Sequence, residues 1–175
     1  TSTLEDISPH KMFTLGRGTF STLTRSPDGR LIATIVDNTL KWFDAVTYEQ
    51  LGEISVGEYS RGSIVFSPDG RLVVVYDFLG ATLYDLERST DQYLVCDSLQ
   101  GCGGVVFSPD GRYIAYTMHH SSSGGPIYTI GIWDIVRQRP SENPSTLEDF
   151  RYQIMSDPAI SPDSRLVAAG HSDGR

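Results

Sequence analysis

Positive charge is in short supply: 14 lysines and arginines stand against 22 aspartates and glutamates, a formal net charge of −8. A surface of that sign repels a phosphate backbone, which argues against nucleic acid or an anionic membrane as the main partner. Cysteine is scarcer still, with only Cys96 and Cys102 in 175 residues. Two cysteines cannot build a secreted disulfide scaffold, and their neighbourhood offers too few further ligands for a metal. Two ordinary thiols are expected, with a short disulfide across a loop as the alternative. No run of about 18 apolar residues is available to span a membrane, and the start, TSTLEDISPH, has no apolar signal segment. The cytoplasm is the favoured compartment.

Catalytic patterns are missing as well. The one GxSxG string, GHSDG at 170–174, falls at a repeat turn without the strand-to-helix context of a nucleophile elbow, and LGRGTF at 15–20 lacks the lysine and the strand-to-helix context of a phosphate-cradling loop. His119 and His120 are adjacent, so in a strand they project oppositely, and no third ligand follows at useful spacing. His10 and His171 lie near the termini. No catalytic residue, cofactor or metal is expected, and the chain is not expected to be an enzyme.

What the sequence has in abundance is one short string. SPDGR occurs at 26–30, 67–71 and 108–112, with SPDSR at 161–165. The prolines Pro27, Pro68 and Pro109 are each 41 residues apart. An aromatic residue followed by Asp keeps step, at Phe43-Asp44, Tyr84-Asp85 and Trp133-Asp134. A fixed period of this length signals a repeat architecture. The distance from proline to aromatic is 16, 16 and then 24 residues, so the third unit carries about eight extra residues.

Within one unit, short runs rich in β-branched and aromatic residues alternate with turn residues. The first unit predicts strands at 20–25, 30–36, 39–44 and 50–56, and the second at 62–67, 71–76, 81–86 and 92–96. SPDGR reads as the hairpin turn between the first two strands: Pro presets φ, Asp tolerates the next position, and Gly takes the left-handed conformation. In SPDSR, Ser164 must strain that turn or change its type. Arg30, Arg71, Arg112 and Arg165 leave the turns at one position and should ring one face, pairing with nearby aspartates.

Four-stranded units repeated at this period resemble the blades of WD-repeat β-propellers, on FSPDGRLVVVYDFLGATLYDLE and FSPDGRYIAY…IGIWDIV. The resemblance implies an all-β fold: blades at about 20–57, 61–97 and 103–155, a partial blade at 157–175, and an N-terminal segment 1–19 with a possible outer strand. Departures are evident. The family's Gly-His is replaced by Gly57-Glu58 and Gly101-Cys102, and only Trp133 gives a true Trp-Asp. The family's His-Ser-Asp-Trp network therefore cannot form, and the blades should rely on apolar packing of Ile64, Phe66, Val74, Val106, Phe107 and Ile114. Because the repeat stops after two strands at SDGR, the chain is expected to be part of a longer propeller. Alone, it would leave open edges and a large exposed face, or pair with a second copy.

Family geometry places the second-to-third-strand turns and the inter-blade links on one face, commonly the one that binds partners. The insertion at 118–128 would stand above it, with His119, His120 and Tyr128. Beside it would lie Tyr59 and Arg61, and Phe78 and Leu79 at a turn, the best candidate anchor. The expected function is a non-catalytic scaffold for a protein or peptide partner. One alternative is the propeller of a prolyl-oligopeptidase-type serine peptidase, gating substrate to a catalytic domain outside these residues. The other is a structural half-propeller that oligomerises.

Overall fold

The computed structural model describes residues 20–56, 62–77, 80–88, 90–94, 102–122, 125–141 and 156–170. Among them there is no helix. The first sheet comprises β1 (Phe20–Arg25), β2 (Leu31–Val36), β3 (Thr39–Asp44) and β4 (Gln50–Ser55), and the second β5 (Ser63–Phe66), β6 (Leu72–Asp77), β7 (Gly80–Asp85) and β8 (Thr90–Leu94). The third comprises β9 (Cys102–Phe107), β10 (Tyr113–Ser122), β11 (Gly125–Asp134) and β12 (Arg139–Pro140). A two-stranded sheet of β13 (Ala159–Ile160) and β14 (Val167–Ala168) follows. All pairings are antiparallel and each sheet runs in chain order, as tight turns between consecutive strands require. The strands of the first two sheets start and end within two residues of the predicted segments.

First strands meet one another: β1 lies against β5, β5 against β9, and β9 against β13. The sheets therefore stack face to face around a common inner line of first strands, which is the arrangement of a partial β-propeller.

The core lies between sheets, and strand alternation builds it. On β6, Val73 and Val75 join Ala33, Ile35, Leu40 and Trp42 of the first sheet, while Val74 between them joins Phe107, Ile114 and Trp133 of the third. Successive residues point to opposite faces, so one apolar strand serves two cores. Of the predicted core residues, Ile64, Phe66, Val74, Phe107 and Ile114 are buried, and Val106 is half-buried. The first sheet is buried on both sides. Its face turned away from the second is not open: Thr34, Val36 and Phe43 are buried there. At the other end Leu166 is 70% exposed.

The four SPDG/SR strings make four copies of one turn. In each, the fourth residue donates its N–H to the first residue's carbonyl, for example Gly29 to Ser26 at 2.9 Å and Ser164 to Ser161 at 2.8 Å. Gly29, Gly70 and Gly111 have φ of 76°, 73° and 70°, and Ser164 adopts the same conformation at 59°. The turn type is thus kept in SPDSR, and Ser164 carries the backbone strain. Serine does more than accept: Ser67 Oγ donates to Asp69 Oδ1 at 2.6 Å and accepts from the Leu72 N–H at 2.8 Å. The Asp carboxylate in turn accepts from the Arg71 N–H at 3.1 Å.

The aspartates of the aromatic-Asp pairs close the next turn. Asp85 Oδ1 accepts from the N–H groups of Glu87 and Arg88, both at 3.1 Å, and its Oδ2 lies 2.8 Å from Arg71 Nη2. In the third sheet, Asp134 Oδ2 lies 3.5 Å from Arg112 Nη2 and 3.3 Å from Arg137 Nη1. Burial pulls the Asp134 carboxyl upward, but the Arg137 N–H and the two guanidinium charges outweigh it and hold the group below the ordinary range. Arg30 departs from the pattern by pairing with Asp28 in its own turn.

Candidate functional site

One short turn and one long hairpin mark the end of the sheets opposite the SPDGR turns. Between β2 and β3 the chain reverses at Asp37 and Asn38, both at positive φ (47° and 62°), as a two-residue hairpin turn requires. The corresponding connection in the third sheet is far longer. β10 and β11 pair without interruption from Tyr113↔Asp134 to Ser122↔Gly125. The extra residues on each side are therefore strand rather than loop, and Ser121, Ser122 and Gly125 do not break the ladder.

β9 supports only the base of this hairpin. Its ladder with β10 runs from Phe107↔Ile114 to Cys102↔Met118. His119 to Ser122 extend past that point with β11 as their ladder partner, a reach of roughly 13 Å at ~3.3 Å per residue. His119 is opposite Tyr128 and His120 opposite Ile127. By register His119 and Tyr128 share one face of the ribbon, and His120 belongs to the other. Three of the predicted site residues are thus brought onto one projecting element. Tyr59, Arg61, Phe78 and Leu79 lie outside the described residues.

At the hairpin's base stands a bond that the sequence reading ranked second. Cys102 is disulfide-bonded and buried, so the expectation of two ordinary thiols is corrected. The chain holds one other cysteine, Cys96, outside the described residues. A six-residue separation permits such a bond but does not announce it; adjacency of the link to the Met118 pairing was the missing information.

Among the described residues no group of three or more His, Cys, Asp or Glu side chains is placed to hold a metal ion. The strongly held carboxylates are turn-forming ones: Ser26, the Arg30 N–H and the Arg30 guanidinium bring Asp28 down to about 2. Trp133 Nε1 is buried without a hydrogen-bond partner, as expected where the His-Ser-Asp-Trp network is absent. Among the described residues no helix is long and apolar enough to cross a membrane.

Comparison with known proteins resolves the fold. No family model matches the chain, and neither does any curated protein sequence. Among solved structures, the Kuenenia stuttgartiensis hydrazine synthase is similar with a TM-score of 0.61 at 22% identity, over 85% of this chain and 42% of that one. The WD40 repeats of RRP9 and the structure of U3-55K each give a TM-score of 0.58 at 15% identity over 73% of this chain. The shares of those two chains are 38% and 39%. This chain thus spans about two fifths of the solved structures it matches, and its described sheets have the fold of part of a WD40-type β-propeller.

Proposed function

We propose that the chain is a non-catalytic interaction module that uses its propeller sheets as a rigid frame and presents the β10–β11 hairpin to a protein or peptide partner. The observation that carries this reading is the hairpin itself. Sheets with one strand-paired element extended past their edge are suited to recognition, because backbone pairing lowers the entropy lost on binding. His119, His120 and Tyr128 are the proposed contacts on the ribbon, and Tyr59, Arg61, Phe78 and Leu79 are proposed to serve the same partner. The WD40 neighbours support the frame and leave the partner open. The disulfide at Cys102 favours an oxidising compartment over the cytoplasm expected from the sequence.

The test replaces His119–Tyr128 with Asn-Gly, which joins the paired residues Met118 and Thr129 by a two-residue turn. Proximity labelling with the natural and shortened chains is then compared. The expected result is loss of specific neighbours at unchanged folding, read by circular dichroism. An unchanged set of neighbours would remove the hairpin from the interaction.

A further inference from the structure

Blades 2 and 3 leave a cleft of about 220 Å³ between them at the SPDGR end, opposite to the hairpin. Its lining comes from the turns of β5–β6 and β7–β8 and from the segment after β11. Leu72, Leu83 and Ile135 supply the apolar wall. The sequence explains why space is left there. Counting back from the aromatic-Asp pairs, Leu83 stands where blade 1 has Trp42, whose indole is buried in the core between blades 1 and 2. A leucine at that position covers less of the neighbouring blade.

The polar rim is unevenly satisfied. Asp69 is occupied by Ser67 and the Arg71 N–H, and Asp85 by Arg71 and two backbone N–H groups. Arg71 Nη2 lies 2.8 Å from Asp85, while its Nε, 3.4 Å from the Glu87 carboxylate, is buried without a hydrogen bond. The Arg88 side chain, in contrast, is 72% exposed and its Nε lies 3.9 Å from Asp85 Oδ2, beyond hydrogen-bond range; only its backbone N–H bonds that carboxylate. Gln138, held at a φ of 54°, and Thr90 complete the rim from the two sides. The cleft thus offers an apolar wall, a guanidinium with unused donors, and an amide that can both donate and accept.

We propose that this cleft binds a linear peptide segment in which an aliphatic side chain is followed by an acidic one. The volume is below the ~300–1,000 Å³ typical of cofactor and drug-sized ligands and suits a single side chain. The aliphatic group lies against Leu72, Leu83 and Ile135, the carboxylate pairs with Arg88, and Gln138 bonds the peptide backbone. A basic residue gains less there, because it meets Arg88 while Asp69 and Asp85, which also line the cleft, are already occupied by Ser67, Arg71 and backbone N–H groups. The surface is separate from the hairpin and does not depend on its role.

The experiment is a titration of the full chain, labelled with ¹⁵N, with the capped peptide Ala-Leu-Glu-Ala, and with Ala-Leu-Lys-Ala and Ala-Ala-Glu-Ala as controls. The expected result is saturable shifts at the amides of Arg88, Thr90, Ile135 and Gln138 with the first peptide, and binding about tenfold weaker with each control. Arg88→Gln, at an exposed position, should reduce the first affinity about tenfold and leave that of the lysine peptide unchanged. Leu83→Trp should abolish binding while the Trp133 and Phe107 amides keep their native dispersion. Equal response to all three peptides, shifts elsewhere on the chain, or no response up to about 10 mM would each overturn the proposal.

Discussion

The Asp110 N–H donates to Ser164 Oγ at 3.3 Å, so the SPDGR turn of one blade is tied directly to the SPDSR turn of the next. The substitution that costs the fourth turn its glycine also supplies the only side chain in the string that could make this bond from that position. Strain and gain are of similar size: a left-handed non-glycine residue costs about 1–2 kcal/mol, and a neutral hydrogen bond returns about 0.5–1.5 kcal/mol. Ser164→Gly should therefore change stability by less than about 1 kcal/mol, whereas Ser164→Ala keeps the strain, loses the bond and should cost about 1 kcal/mol. Urea denaturation of the two variants checks the order; alanine at least as stable as glycine would contradict it.

Ser108 is fully buried, donates to Asp110 at 2.5 Å and accepts from the Tyr113 N–H at 2.8 Å. Ser108→Ala removes both bonds and strands a backbone donor at the start of β10. A loss of about 1–3 kcal/mol is expected, read as a lower urea midpoint at unchanged slope.

Trp133 behaves differently because its indole N–H has no partner to lose. Trp133→Phe gives up some buried area but also removes an unsatisfied donor, and should cost no more than about 1–2 kcal/mol. Trp133→Ala opens a cavity and should cost about 3–5 kcal/mol. Thermal unfolding of the pair distinguishes a packing role from a bonded one, for which phenylalanine would be nearly as harmful as alanine.

Acid should loosen the turns over a defined window. The carboxyls of Asp28, Asp110 and Asp163 are held below their ordinary range chiefly by the serine hydroxyl two residues before each, and Asp28 lies at about 2. A depressed carboxyl contributes stability that is complete above its unfolded value, about 3.9, and is lost as pH falls through the folded one. The urea midpoint should thus be flat from pH 7 to about 4.5 and fall between about 4 and 2. A fall beginning near pH 6 would point to histidine instead.

The disulfide gives a chemical prediction. The folded chain should take up no maleimide until reduced, and then two equivalents, one for each cysteine in the sequence. Reduction should cost roughly 2 kcal/mol, the chain-entropy value for a short loop. Labelling without reductant would show that the bond does not form.

Most of the fold was legible because its signals are local. A 41-residue period, a turn string whose proline and glycine fix their own dihedral angles, and alternating apolar runs each specify a strand or a reversal without reference to the rest of the chain. The site was less legible. The eight extra residues near His119 could be counted, but whether they formed loop or ladder depended on pairing between β10 and β11, which Ser121, Ser122 and Gly125 do not advertise. The cleft was invisible because it arises from a comparison across blades, Leu83 against Trp42, with the wall completed by Ile135 about fifty residues further on.

The interleaving of Val73, Val74 and Val75 also determines how the molecule comes apart. A sheet whose alternate residues belong to two different cores has no private interior, so no blade can melt without loosening both neighbours. Stability is then shared pairwise along the array, as in a one-dimensional chain of coupled units. The central units gain from two neighbours and the terminal ones from fewer. Opening should begin at the end where Leu166 is exposed and travel inward, leaving the amides of β6 the slowest to exchange with solvent.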